Sequence, residues 1–444
     1  MAMTKESVER IAVRQFSLKL SEASRHDCVA MMLEVLRERR TVLPKRLMFP
    51  GPSSQELQLL LEAASTAPDH AQIVPWRFLN FPQASRPALG ELFANAPNTH
   101  LDFNPAALNS SNMLSSMIRL GSNENPHGPS TLAKQAMIDA VGISNRYQWD
   151  MNAELKTAIA NMTGHTKDHV ALGAGSSELL GIVSLWAAYK KGNVVASEPT
   201  FKLWMPAARR MGLPTKLVPL TETKHNDLDG LMKAMDQETK MVYLCNPNNP
   251  TGTVSPTSAL ENFIQKVAST TIVLLDEAYT DYYDSPSMSK MIDTYPNLVI
   301  AKTFSKTFGM AGARVGYVLA HPNTIKQLNE FQAWANAGPS AVSMQGALAA
   351  IKDKAFVTYC KQENIKAKEI LYQGFDALGI KHIKSFTSFV YFDTATYKKD
   401  IPALLLANQI SGARSFEQNS TWLRISIGTV TEMEKVVAVL KLGA

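Results

Sequence analysis

The sequence predicts an α/β protein: a large, doubly wound and mostly parallel sheet domain and a smaller α/β domain, preceded by a mainly helical N-terminal extension. Three observations lead there. Short, continuous apolar runs recur between about residues 169 and 320, and runs apolar on every position suit strands buried on both faces. Segments of helical period separate most of them, which is the signature of crossover connections and a parallel sheet. Several runs also end in polar words rather than in plain turn residues, and open sheets of this kind bind ligands at the carboxyl ends of their strands.

Taken in order, residues 29–37 read as an amphipathic helix followed by the basic run Arg37-Glu38-Arg39-Arg40, and 54–64 as a helix capped by Ser54. The segment 94–112 is rich in Asn, Pro and Ser and reads as a linker. Residues 123–130 lack any hydrophobic period and contain two prolines and a glycine, so they form an extended arm. Helices are expected at 131–141 and 151–162, then a strand at 169–172 and a helix at 179–189. Strands at 193–197, 215–218, 241–245, 271–275, 298–301 and 313–320 follow, with helices at 228–235, 259–267 and 324–334. One long helix at 343–359 leads into the last part, where strands at 382–385, 389–392 and 422–427 alternate with helices at 401–407 and 431–442. The expected domains are 1–110 as an N-terminal fragment, 145–345 as the large domain, and 115–144 with 346–444 as the arm and small domain.

Length and composition narrow the possibilities. A chain of 444 residues suits two or three domains. No apolar run approaches the roughly 18 residues of a membrane span, and the first residues do not read as a signal peptide. Cys28, Cys245 and Cys360 are odd in number and far apart, which argues against a disulfide framework and for a reducing, cytoplasmic setting. The net charge of +6 is spread along the chain; it suits small anionic molecules and gives no case for nucleic acid.

The polar strand ends carry the chemistry. Lys306 follows the 298–301 run, with Thr303, Ser305, Gly309, Gly312 and Arg314 around it. Asp276 emerges from the 271–275 run, where a carboxylate needs a cationic or hydrogen-bonding partner. The 241–245 run ends in Asn246-Pro247-Asn248-Asn249-Pro250-Thr251-Gly252, and the 169–172 run in Gly173-Ala174-Gly175-Ser176-Ser177-Glu178 at a helix start, where free amides attract anions. Each word alone has a plainer reading: a solvated lysine, a good turn, a helix cap. Together they describe a pyridoxal phosphate pocket. The aldehyde needs a lysine for the Schiff base, the ring nitrogen needs a carboxylate, and the phosphate needs amides, hydroxyls and an arginine.

The order of these words resembles the fold-type I aminotransferases, and within them the histidinol-phosphate aminotransferase group. The resemblance rests on Leu120-Gly121-Ser122-Asn123-Glu124-Asn125-Pro126-His127-Gly128-Pro129-Ser130, Asn145-Arg146-Tyr147, Ser176-Ser177-Glu178, 246–252, Asp276 to Tyr279, Ser305-Lys306 with Arg314, and 423–428. It covers the chain from about residue 115 onward. It implies that Lys306 holds pyridoxal 5′-phosphate covalently and then moves the substrate proton, that Asp276 pairs with the ring nitrogen, and that Asn249 and Tyr279 meet the phenolic oxygen. Phe201 is expected to stack on the ring; Ser176, Ser177, Ser305 and Arg314, with Thr303, hold the phosphate. Tyr147 would reach the neighbouring subunit's cofactor phosphate, which implies a homodimer. Arg424 would clamp a substrate carboxylate or equivalent group, Arg414 a substrate phosphate, and Asn123 and His127 of the arm would border the substrate. For Phe201 and Tyr147 the alternative is ordinary packing, and for the two arginines a surface ion pair.

The implied reaction is ping-pong transamination of histidinol phosphate with 2-oxoglutarate. His127 stands where this group often has tyrosine, and Ser388 where asparagine is usual. Aromatic aminotransferases, threonine-phosphate decarboxylase and other enzymes with the same cofactor residues therefore stay open, as does a cofactor-sensing regulator without turnover. The N-terminal segment is similar to the first third of flavin-dependent nitroreductases, with Arg39, Arg40 and Thr41 at the flavin-phosphate word and Ala67-Pro68 to Pro75-Trp76 after a helix. The rest of that pattern is absent, so flavin (FMN) is not expected and a solvated helix end accounts for the arginines.

Overall fold

The computed structural model describes residues 117–283 and 285–443, and the readings for 1–112, including the two helices, the linker and the flavin word, lie outside the described residues. The described chain opens on a two-residue strand, β1 (Ile118–Arg119), and an extended arm. Ser130 then caps α1 (Thr131–Ala140), its side chain accepting from the Ala133 amide at 3.1 Å. The next helix, α2 (Trp149–Thr163), stops at Gly164, which takes the left-handed φ of 78°.

The central sheet follows: β2 (Val170–Gly173), β3 (Asn193–Glu198), β4 (Thr215–Pro219), β5 (Thr239–Cys245), β6 (Ile272–Asp276), β7 (Leu298–Thr303) and β8 (Gly316–Ala320). Its spatial order is β2-β8-β7-β6-β5-β3-β4. Strands β4, β3, β5, β6 and β7 are mutually parallel, as expected from the helices between them: α3 (Ser176–Tyr189), α4 (Met205–Arg210), α5 (Leu228–Ala234) and α6 (Thr257–Val267). Strand β8 is the exception and runs antiparallel to both neighbours. The 304–315 connection contains no helix, so the chain returns beside β7 instead of crossing over.

Both faces of this sheet are buried, and the two-residue period divides its side chains between them. Val242, Leu244, Val273 and Leu275 join one core with Leu155 and Ile159 of α2, and Ala133 of α1 belongs to the same cluster. Met241, Tyr243, Cys245 and Leu274 join the other with Leu179, Val183 and Trp186 of α3.

Past α7 (Pro322–Glu330) come α8 (Ala341–Lys352) and α9 (Lys354–Ala377), then β9 (Phe389–Asp393), α10 (Ile401–Ala407), β10 (Ile410–Ser411), β11 (Arg414–Ser415), β12 (Trp422–Ser426) and α11 (Val430–Gly443). A three-stranded antiparallel sheet, β11-β12-β9, packs with α9 and α11 around Leu371, Phe375, Val390, Phe392, Ile425 and Val436. The arm reaches this unit, because β1 pairs parallel with β10.

Four expectations change in detail. The single helix at 343–359 is two helices, because Asp353 (φ −92°, ψ 65°) ends α8 and caps α9, its side chain accepting from the Phe356 amide at 3.1 Å. The apolar period runs through the break, so only that cap signals it. The strand at 382–385 reduces to a bridge between His382 and Phe392. Side chains occupy its backbone instead: the Lys368 ammonium donates to the Ser385 carbonyl, and the Tyr372 hydroxyl accepts from the Ser385 amide, each at 2.8 Å. The strand expected from 313 begins at Gly316, since Arg314 lies at φ 57°. The helix expected to run to 334 ends at Glu330.

Candidate active site

Asp276 is the last residue of β6, and its register partners are Cys245 of β5 and Ala301 of β7. Its carboxylate thus emerges at the sheet edge where these parallel strands end. One oxygen accepts from the Tyr243 hydroxyl at 3.0 Å and the other from the Ala278 amide at 3.1 Å. Burial pushes its pKa up to about 6, against the lowering effect of those two hydrogen bonds. Among the described residues no cationic side chain lies within ion-pair distance of it. A buried carboxylate in that state is a site for a cation on its open side.

Lys306 lies one turn beyond β7. Its ammonium donates to the arm carbonyls of Ser122 at 3.0 Å and Asn123 at 3.2 Å, and sits 5.5 Å from the centre of the Tyr279 ring. Burial, followed by the charge of Arg424, brings its pKa down to about 8. The amine is therefore easily freed of its proton near neutrality, as a nucleophile or base requires.

Hydroxyls, amides and one guanidinium converge beside it. The Thr303 hydroxyl donates to Ser305 Oγ at 2.9 Å, and Arg314 Nη1 reaches the same oxygen at 3.3 Å. Arg314 is anchored by the carbonyls of Ala311 at 2.9 Å and Ala174 at 3.2 Å. Ser176 and Ser177 begin α3, so its free amides face the same point. Gly175 takes the left-handed φ of +82° that favours glycine, and a Cβ there would press on the Arg314 guanidinium.

On the other side, Arg424 projects from the middle of β12 and is only 2% exposed. Its Nη1 donates to Asn249 Oδ1 at 2.6 Å and its Nη2 to the Gly121 carbonyl at 2.5 Å, while its buried Nε has no partner. Burial lowers its pKa to about 10. Asn123 donates to the Tyr279 hydroxyl at 2.9 Å and is locked to Ser426 Oγ through its amide and its side-chain oxygen, both at 2.8 Å. Arg414 is the register partner of Arg424 across β11 and β12. The Phe416 ring lies between them, 5.1 Å from the Arg414 guanidinium carbon and 4.4 Å from that of Arg424.

These groups line one cavity of about 630 Å³. Asn123, Ser176, Ser177, Phe201, Asn249, Asp276, Tyr279, Thr303, Ser305, Lys306, Arg314, Arg414 and Arg424 all face it. Two candidates do not. His127 turns away, its amide held by the Asn125 side chain at 3.0 Å and its ring packed edge-on against Tyr359 at 5.0 Å. Tyr147 stands exposed, stacked on Trp149 at 4.9 Å and beside Trp334 at 5.7 Å. The sequence reading missed Tyr243, Phe416 and Glu417. Tyr243 was findable: on β5 it shares a face with Cys245, one step from the edge where Asp276 ends β6. Phe416 and Glu417 follow a two-residue strand with no periodic signal.

The donor set fits pyridoxal phosphate: a buried carboxylate without a cation, an amine of lowered pKa, and an anion cradle, all on one cavity. Residues 115–440 match the family model described as aminotransferase class I and II. Histidinol-phosphate aminotransferase of Moorella thermoacetica is 33% identical over 330 residues, covering 73% of this chain and 85% of that protein. The Bacillus subtilis protein of the same name is 33% identical over 331 residues, covering 74% and 91%. Among solved structures, histidinol-phosphate aminotransferase of Sinorhizobium meliloti in complex with pyridoxal-5′-phosphate superposes with a TM-score of 0.68 at 26% identity, covering 83% of this chain and 99% of that one.

Proposed function

The chain belongs to the class I and II aminotransferases and is a pyridoxal phosphate-dependent enzyme; on that premise we propose that it exchanges an amino group between histidinol phosphate and 2-oxoglutarate in two alternating half-reactions. The observation that carries the substrate class is the Arg414–Phe416–Arg424 group. Like charges placed directly across an antiparallel pair repel, and an anion bound on the cavity side of both relieves that repulsion. The substrate's phosphate and the dicarboxylate of the acceptor are such anions, and the planar guanidinium of Arg424 suits either by paired hydrogen bonds. The names of the relatives favour histidinol phosphate among the possible donors.

Each residue has a role in this reading. Lys306 is the amine that would hold the cofactor covalently, and its Nζ, when free, would take the proton from the substrate's α carbon and hold it for its return during the exchange. Asp276, oriented by Tyr243 and the Ala278 amide, would hold a proton on the ring nitrogen. When bound, the cofactor supplies the electron sink for the carbanion at that α carbon. Asn249 and Tyr279 would meet its phenolic oxygen, Phe201 would cover a ring face, and Ser176, Ser177, Thr303, Ser305 and Arg314 would hold its phosphate. Phe416 and the arm residues Asn123 and Glu124 narrow the mouth and exclude water.

A homodimer is part of the proposal. Tyr147, exposed with Trp149 and Trp334, would reach the partner's cofactor phosphate, and sedimentation velocity tests the assembly. Three widely spaced cysteines suit a reducing setting, and on that ground we place the enzyme in the cytoplasm; no helix of the described residues is long and apolar enough to cross a membrane.

The test follows the first half-reaction of the cofactor-loaded full chain. Histidinol phosphate and glutamate should each change the visible absorption of the bound cofactor, and mass spectrometry should find imidazole-acetol phosphate and 2-oxoglutarate. Turnover of phenylalanine with none of histidinol phosphate would make it an aromatic aminotransferase; release of carbon dioxide from a phosphorylated amino acid would make it a decarboxylase.

A further inference from the structure

We propose that His165, His169 and Asp293, away from the catalytic cavity, form a binding site for a divalent transition-metal ion of the zinc, cobalt and nickel class. One ligand atom from each residue lies within 4.8 Å of the others. Two are already in contact: His169 Nε2 and Asp293 Oδ1 lie 2.8 Å apart in a hydrogen bond that an ion would replace. The same ring is fixed from behind: its Nδ1 accepts from the Thr166 amide at 3.4 Å and lies 2.9 Å from the Thr166 hydroxyl, so an ion on Nε2 would move the ring proton to Nδ1, where it would donate to that hydroxyl as in other metal-binding imidazoles. His165 completes the set: its ring is tilted beside that of His169 with centroids 5.4 Å apart.

An ordinary ion pair explains only half of this. The His169–Asp293 contact satisfies those two residues, whereas His165 Nε2 is buried with no hydrogen-bond partner. A buried polar nitrogen left unpaired is destabilising, so the third member is the one that points to a ligand. Zinc bound at roughly 2.0–2.1 Å to nitrogen and oxygen sets its donors roughly 3.3 Å apart in a tetrahedral site, so an ion would part the His169–Asp293 pair slightly and draw in His165, which sits just past the left-handed turn at Gly164 that ends α2. Two imidazoles and one carboxylate select zinc, cobalt or nickel over magnesium or calcium, which prefer all-oxygen sets.

The surroundings permit entry and open coordination positions. A hollow of about 580 Å³ adjoins the cluster and is lined by His165, Asp293, Ser287 and Ser289 among others. The lysines near it are neutralised: Lys290 pairs with Glu261, and Lys302 with Glu277 and Asp281. The bound ion would tie the loop before β2 to the segment after the 288–291 turn, across 124 residues of sequence. His169 directly precedes β2, and β2 runs in the direction of β7, so the cluster lies at the strand-start edge, opposite the edge where Asp276 ends β6. The ion's role is therefore a clamp and not part of the transamination.

The experiment uses the full, cofactor-loaded chain stripped by a chelator. Zinc binding is measured by calorimetry and cobalt binding by its visible ligand-field absorption, in the native protein and in His165→Gln and Asp293→Asn. The expected result is one ion per chain, affinity about tenfold or more weaker in each variant, a zinc-dependent rise in melting temperature lost in both, and unchanged transamination rates. Magnesium should neither bind nor compete. Unchanged affinity in both variants would put the metal elsewhere, for instance on His26, Cys28, His70 or His100, and would overturn the proposal. So would the absence of zinc binding in a native protein that transaminates normally.

Discussion

The two ends of the catalytic cavity are built differently. At the end we assign to the cofactor, the carboxylate and the anion cradle are fixed by neighbours on or beside the large buried sheet: Asp276 by Tyr243 and Ala278, Ser305 by Thr303, Arg314 by Ala174 and Ala311. At the substrate end, Arg414 stands exposed on a two-residue edge strand, and Arg424 gives one donor to Asn249 and another to the arm. The first end is a preorganised socket. The second is an adjustable mouth, made of short elements that meet only in the folded chain. Cofactor chemistry demands the former, and a choice among related anions is set by the latter.

Replacing the amine at the centre of the socket should do the most. Lys306→Ala should lower kcat/KM by at least about a thousandfold, with no cofactor fixed to the chain by borohydride. Peptide mapping of the reduced native protein should find the label on Lys306. A label on Lys302 or Lys368, the buried lysines among the described residues, would break the comparison at its root.

Asp276→Asn should cost about 10²- to 10⁴-fold in kcat, since the ring proton is no longer held. The same change has an opposite effect on the cofactor-free protein. Folded Asp276 has a pKa of about 6 against an ordinary 3.8, so the native state holds this proton more tightly than the unfolded chain. Its contribution is favourable below pH 4 and lost as pH rises toward 6; at neutral pH the buried charge costs about 3 kcal/mol. Lys306 is the mirror case: with its pKa lowered from 10.5 to about 8, its penalty is full below pH 8 and relieved above it. The cofactor-free Asn variant should therefore melt higher than the cofactor-free parent at pH 7, and the advantage should vanish near pH 4. Equal melting temperatures at both pH values would mean that the socket holds no strained charge.

The same contrast governs what the sequence discloses. The strands of the large sheet are legible because burial on both faces leaves unbroken apolar runs, and their ends point to Lys306, Asp276 and the turn at 246–252. The family resemblance read from those words is matched over residues 115–440. What stays hidden depends on side chains capturing backbone. Asp353 divides a helix whose apolar pattern continues, and Lys368 and Tyr372 take the groups of Ser385 that a strand would have used. His127 is misleading for a similar reason. Its position in the arm suggests the substrate, whereas the Asn125 side chain holds the local turn and sends the ring to Tyr359. Phe416, which separates the two arginines, follows a strand too short to have a period.

Arg424→Lys tests the mouth. It keeps the charge but loses the planar fork that spans Asn249 and Gly121, so KM for anionic substrates should rise about 10- to 100-fold with a smaller change in kcat. A fall in kcat alone would move Arg424 from the mouth to the socket.

Arg414→Ala should have the smallest effect, because an exposed cation in water contributes about 1 kcal/mol or less to an ion pair. A rise of up to about fivefold in KM for histidinol phosphate is expected, and it should shrink as salt screens the pair. The change also removes the like charge opposite Arg424, so the variant should hold monoanionic substrates no worse than the parent does. Comparing histidinol phosphate with uncharged-side-chain amino acids in both proteins separates these effects. A loss confined to the phosphorylated substrate assigns its phosphate to the β11 edge, whereas an equal loss for every donor would show that Arg414 only supports the shape of the mouth.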